Sequence, residues 1–261
     1  MNQLLQDLDL ARIAASLALV ALAGLLSRVQ RVGLVPELAW SSVRAFVQLV
    51  AVGYALQFIF DQDTAWWTLL LLSVMTTVAA LTAAGRAKGV PGARRITVGA
   101  IGTAVVLTLG LVLLLGVFAF TPRYIIPVAG MVIGNSMTTC SLVMARIRDD
   151  LEAGRDHVET ALALGASGRC AACPTVTRAV RRALVPIVDT TRTVGLIKLP
   201  GAMTGMILAG ASPIDAVQIQ LIIIYVLVGG TSVSALAAGQ LRRRGVLTPQ
   251  QQLRGFAGVA R

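Results

Sequence analysis

Charge is scarce in this chain. Only 13% of its residues are Asp, Glu, Lys or Arg, one is histidine, and just two of the 23 basic residues, Lys88 and Lys198, are lysines. With 56% hydrophobic residues and a mean hydropathy of +0.78, 261 residues cannot clothe a water-facing surface, which excludes a soluble globular domain. The three cysteines are too few and too unevenly placed for a disulfide framework. Cys140 lies in an apolar run, whereas Cys170 and Cys173 lie in an Arg-rich segment of cytosolic type, where thiols stay reduced. A Gly-x-x-x-x-Gly-Lys-Ser/Thr phosphate loop is also missing, and neither lysine has that context, so ATP is not bound through such a loop here. There is no internal repeat and no low-complexity linker, so residues 1–261 read as one transmembrane domain.

Long apolar runs, in contrast, are plentiful. A bilayer-spanning helix needs about 20 mainly apolar residues, and seven runs approach that length, at about 10–27, 39–60, 65–84, 97–120, 124–145, 188–210 and 215–239. Open sheets would leave unsatisfied edges in lipid. The expected fold is therefore all-α and polytopic, with about seven transmembrane helices. Basic residues then orient it, because short cytoplasmic loops retain Lys and Arg. Arg28 and Arg31 follow the first run, Arg86, Lys88, Arg94 and Arg95 follow the third, eight arginines occupy 146–192, and Arg242, Arg243, Arg244, Arg254 and Arg261 close the chain. The alternate loops hold Asp61 and Asp63, a lone Arg123, and Asp215. This pattern puts the N-terminus outside and the C-terminus in the cytosol. It also accounts for the net charge of +11 without nucleic acid. Asp7 and Asp9 stand where a secretory leader would carry basic residues, so the first run is expected to be a helix.

One cytosolic segment has appreciable size, at about 146–187. Some 40 residues cannot fold into a catalytic domain. The adjacent carboxylates Asp149 and Asp150 would point about 100° apart on a helix, a poor pair for enzyme chemistry. Within the segment, Val158, Ala161, Leu162 and Gly165 recur at helical spacing while His157, Glu159 and Thr160 fall on other faces. This predicts a short amphipathic helix stopped by Gly165, whose lack of a side chain permits the left-handed turn. Such a helix either lies on the membrane surface or presents its end to a partner.

The run from Glu159 to Gly165, Glu-Thr-Ala-Leu-Ala-Leu-Gly, resembles the Glu-Ala-Ala-x-x-x-Gly coupling loop of ABC transporter permeases, with Thr160 in place of the first alanine. The segments Gly130–Met137, Ala183–Asp189 and Thr193–Gly205 look like those of the FetB-type, iron-export permease family. The resemblance covers roughly residues 125–240. Upstream it rests on helix number and spacing, and the terminal Leu-x-Pro of the importer motif lies further downstream here. It implies a multi-pass permease of the bacterial inner (plasma) membrane, a transport subunit rather than an enzyme, exporting iron or another metal ion. Two such permeases would pair with two ABC-type ATP-binding subunits, which would carry ATP and Mg; this chain would bind no cofactor. Glu159, Thr160, Ala161, Leu164, Gly165 and Ala166 would then form the ATPase-coupling element.

Polar groups within membrane runs are costly, about 2.5–3.5 kcal/mol for a charged residue, so each is a candidate for the translocation pathway. Arg44 and Gln48 share a helix face four residues apart; Arg44 either serves the pathway or snorkels about 9 Å to the cytosolic interface. Lys198 lies too deep to snorkel and suits the pathway or an internal ion pair. Asn135 begins a polar run to Ser141 that either contacts substrate or glues helices, beside Gly130 and Gly134 at small-residue spacing. Pro200, Gly201 and Gly205 mark a kinked or broken helix. Met131 and Met203 are either packing or thioether contacts for a metal. Cys170 and Cys173 have the spacing of half a zinc site with no second half, and no metal site is assigned. Arg44 and Lys198 raise the barrier to a bare divalent cation and favour an anion or a chelate. The resemblance extends to plant proteins of aluminium tolerance, for which a nucleotide sugar is the alternative cargo. A membrane enzyme and a passive channel are the other readings; turnover without a partner, or flux without ATP, would identify them.

The charge pattern is open to direct test. A fluorescent protein fused after Arg261 should fluoresce, and alkaline phosphatase inserted between Asp61 and Asp63 should be active; the opposite pattern would invert the topology.

Overall fold

The computed structural model describes residues 10–62, 64–87, 89–197 and 199–243. Among the described residues every regular element is a helix: α1 (Leu10–Val29), α2 (Val35–Gln62), α3 (Ala65–Arg86), α4 (Ala93–Leu114), α5 (Pro122–Ala153), α6 (Arg155–Ala163), α7 (Gly168–Ala183), α8 (Val185–Thr193), α9 (Gly201–Leu208) and α10 (Pro213–Arg243). Five of them, α2, α3, α4, α5 and α10, are long and apolar enough to cross a membrane, and α1 contributes a shorter apolar stretch, Leu17–Val29.

Three of the expected runs change shape. The run at 97–120 becomes α4, shifted to 93–114, because Gly116 adopts a left-handed φ of +64° and closes the helix. The run at 124–145 becomes the 32-residue α5, about 48 Å long at 1.5 Å per residue. A hydrocarbon core is about 30 Å thick, so the helix reaches well beyond it. The supposed loop 146–187 therefore begins as a rigid continuation of α5. The run at 188–210 is not one helix. It divides into α8 and α9 because Gly195 turns left-handed at φ +81° and Pro200 has no N–H to continue the ladder. The break falls just before Pro200 and Gly201, and Gly205 lies inside α9.

The described residues form two compact units, one ending at Gln62 and the other beginning at Thr64. In the first, α1 packs on α2, and Ser27 Oγ accepts a hydrogen bond from the Leu34 N–H across the turn between them. The large apolar side chains of α2, including Trp40, Phe46, Leu49 and Tyr54, stay exposed, as suits a helix bathed in lipid or covered by another chain.

The second unit is built around α4, α5 and α10, with α3 against α4 and α5. Its core is rich in small residues, among them Ala100, Ala104, Ala129, Ala235 and Ala238, which let the backbones approach closely. Within the bundle a close crossing lies at Gly230, where a Cβ would lie 2.9 Å from Val132 Cγ1 and 3.1 Å from Thr108 Oγ1. One turn on, the buried Ser234 Oγ donates to the Ser136 carbonyl at 3.2 Å.

Gly230→Ala should overpack this junction and cost about 1–3 kcal/mol, seen as a lower melting temperature in detergent. Gly229→Ala, with open space around its Cβ, should not lower it.

Candidate functional site: the α6 platform and the polar residues of the spans

Nine residues make α6, too few for a helix to be stable in water by itself. It is held from beneath. Val158 is only 3% exposed, and Leu162 packs at the edge of the same core, so α6 lies against α7 and the end of α5. The C-terminus is closed by a Schellman arrangement: the Gly165 N–H donates to the Leu162 carbonyl and the Ala166 N–H to the Ala161 carbonyl, each at 3.0 Å. This geometry needs the left-handed φ of +87° that Gly165 adopts. The helix stop expected at Gly165 is thus built as a capped end.

The opposite face is open. Glu159 accepts a hydrogen bond from Arg155 Nε at 2.7 Å, an exposed pair four residues apart. That bond raises the Arg155 pKa above its ordinary value. Thr160 Oγ1 donates to the Asp156 carbonyl, which spends its hydroxyl within the helix. Leu164, at the tip, is 83% exposed. A buried aliphatic foot, a charged flank and a bare leucine at a capped end suit a surface that docks on another protein.

Two features not anticipated from sequence hold the platform to the bundle. Arg182 Nη1 of α7 meets Asp150 Oδ1 of α5 at 3.1 Å, a pair 32 residues apart with no local signal. The buried stripe of α7, namely Ala172, Val176, Ala179, Val180 and Ala183, lies against α5 and α10. Its i, i+4, i+7 spacing could have been read in advance.

The residues proposed for the pathway fall into separate groups. Gly130, Met131, Gly134 and Asn135 occupy two turns of α5. Asn135 is half-buried and its Nδ2 donates to the Met131 carbonyl at 2.9 Å. Thr138 and Ser141 likewise donate to carbonyls four residues back, whereas the Ser136 hydroxyl is buried without a protein partner. Gly130 faces α3, where a Cβ would come within 3.3 Å of Met75 Cε; positions 134, 201 and 205 have open space. Pro200, Gly201, Met203 and Gly205 cluster at the start of α9, which packs on α10. Arg44 and Gln48 are both exposed on α2, in the first unit. Lys198 lies outside the described residues.

Among the described residues no group of three or more His, Cys, Asp or Glu side chains could hold a metal ion. Cys170 is exposed and Cys173 half-buried one turn apart on α7, and His157 is exposed on α6.

Comparison with known proteins agrees with the resemblance seen in the sequence. A family model described as "Uncharacterised protein family (UPF0014)" matches residues 10–247. The chain is 47% identical over 227 residues to "UPF0014 membrane protein STAR2" of Oryza sativa subsp. japonica, covering 87% of this chain and 80% of that one. It is 44% identical over 240 residues to "Protein ALUMINUM SENSITIVE 3" of Arabidopsis thaliana, covering 92% and 88%. With "Probable iron export permease protein FetB" of Escherichia coli (strain K12) it shares 34% identity over 241 residues, covering 92% and 93%. No solved structure matches it.

Gly165→Ala should force a side chain into the left-handed region at a cost of about 1 kcal/mol and fray the end of α6. Faster hydrogen exchange at residues 165 and 166 would register it. Gly134→Ala, in an open helical position, should leave exchange unchanged.

Proposed function

Because the chain belongs to the UPF0014 family of membrane proteins, we propose that it is the permease subunit of an ABC transporter, moving a metal ion out across the bacterial inner membrane. The observation that carries this reading is α6, a short helix anchored by Val158 and capped at Gly165 that turns Glu159 and Leu164 outward. The FetB relative is named as a probable iron export permease, which supports iron as the cargo. The plant relative is named for aluminium sensitivity.

In this reading ATP and Mg are held by a separate subunit, which docks on α6. Two permeases and two ATPases form the working unit. ATP can favour one permease state only through contacts that differ between the two states, and α6 supplies the contact surface. The movement is then alternating access, with rigid helices rocking about the pathway.

A second cargo reading has its own support. Arg44 is exposed in the first half of the apolar α2, and no cluster of metal ligands exists among the described residues. A guanidinium in the pathway would repel a bare cation and attract an anionic or chelated solute, such as a nucleotide sugar.

Tagged protein from its native membrane should bring down an ABC-type ATPase, and Glu159→Arg should cut its recovery about tenfold or more without changing the amount of folded permease. If no ATPase is recovered, or if the variant transports like wild type, the docking role fails. For cargo, ferrous iron should stimulate ATP hydrolysis by the reconstituted complex. Stimulation by a nucleotide sugar, and not by iron, would select the anionic reading.

A further inference from the structure

Resting on that docking role, we propose that Gly239 is the positioning joint that makes α6, α7 and α10 move as one body, so that displacement at the ATPase reaches the last membrane helix. The contact is the closest glycine approach in the second unit. A Cβ at Gly239 would lie 2.7 Å from Val180 Cγ2 and 3.6 Å from Val176 Cγ1. Real Cβ atoms do not come that near. Both valines are β-branched, which limits their rotamers, and buried, Val176 completely.

The position of α7 gives this contact its consequence. Only four residues separate it from α6, on which it packs, so a push on α6 is passed directly to α7. At its far end Arg182 ties α7 to Asp150, on the part of α5 that extends beyond the membrane. In its middle, Val176 and Val180 seat over the bare backbone at Gly239. The cytosolic platform is thereby clamped to two long membrane helices at once.

Packing alone would fill any side chain of suitable size around such a contact, but here the surroundings are not filled. A recess of about 230 Å³ opens beside Gly239, lined by Val176, Thr177, Val180, Leu236 and Gln240. With slack on one side, the lateral position of α7 on α10 depends on the knob at Val180 entering the notch at Gly239. Removing the notch or the knob frees α7 to slide into the recess.

The test uses the permease with its ATPase in lipid vesicles, with ferrous iron and UDP-glucose as transport probes. Gly239→Ala should leave ATPase recovery and ATP hydrolysis near wild type while the solute moved per ATP falls about fivefold or more. Val180→Ala, which cannot clash, should lower the same ratio. The double variant Gly239→Ala/Val180→Ala removes the clash and should recover part of it. A readout independent of cargo is the distance between spin labels at Ala163 and Leu236. In the wild type it should not change on ATP binding, and in either single variant it should change or broaden. An unchanged ratio and unchanged label distance in both single variants would overturn the joint. Loss of ATPase from the wild-type complex would instead overturn the docking role, so the two failures are distinguishable.

Discussion

Hydrocarbon offers a polypeptide nothing to hydrogen-bond, and the rest of this structure follows from that. Every backbone N–H and C=O at membrane depth must find its partner within the chain, which is why the described elements are all helices. The same demand governs the small polar side chains. Ser42, Ser73, Thr76, Thr77, Thr82, Thr138 and Ser141 each donate a hydroxyl to a carbonyl four residues back. These residues are thus polar in name and nearly silent toward a neighbour. The exceptions are the informative places. Ser234 donates across to α5 instead of to its own helix, and the turn between α8 and α9 leaves the regular ladder altogether.

Once helices are obligatory, what remains to be decided is how closely they pack. Lipid tails are as apolar as leucine, so no hydrophobic gain drives one span against another; close backbone approach and dispersion do. Gly230 and Gly239 on α10 show this at two depths. The first brings α10 against Thr108 and Val132 in the middle of the bundle, and the second brings it against Val180 of the platform. A single helix therefore carries both the membrane core and the cytosolic attachment. Since α5 also extends beyond the bilayer and meets α7 through Asp150 and Arg182, the platform is supported by two long levers.

The platform itself combines strong local rules with weak ones. Its C-terminal stop at Gly165 was legible from the residue type, because few other residues accept φ +87°. Its buried foot at Val158 was legible from helical spacing. The partner of Glu159 was not identified, although Arg155 stands four residues away; exposed pairs of this kind contribute little to stability and leave no distinct mark in composition. The polar run from Asn135 to Ser141 left both packing and substrate contact open, with packing the favoured reading. Local hydrogen bonds now account for Asn135, Thr138 and Ser141 and leave the buried Ser136 hydroxyl over.

By itself the sequence determined the class of solvent, the helical fold, the position of the breakers and the amphipathic end of α6. All of these depend on interactions within a few residues or on bulk transfer energies, which composition and periodicity record directly. The tertiary structure alone decided that α5 continues unbroken to Ala153, that Asp150 meets Arg182, and that Gly239 lies under Val180. Each of these is a meeting between distant residues or a competition between helix continuation and a turn. Such outcomes are settled by which neighbours fill the space, and spacing along one strand of chain holds no record of that.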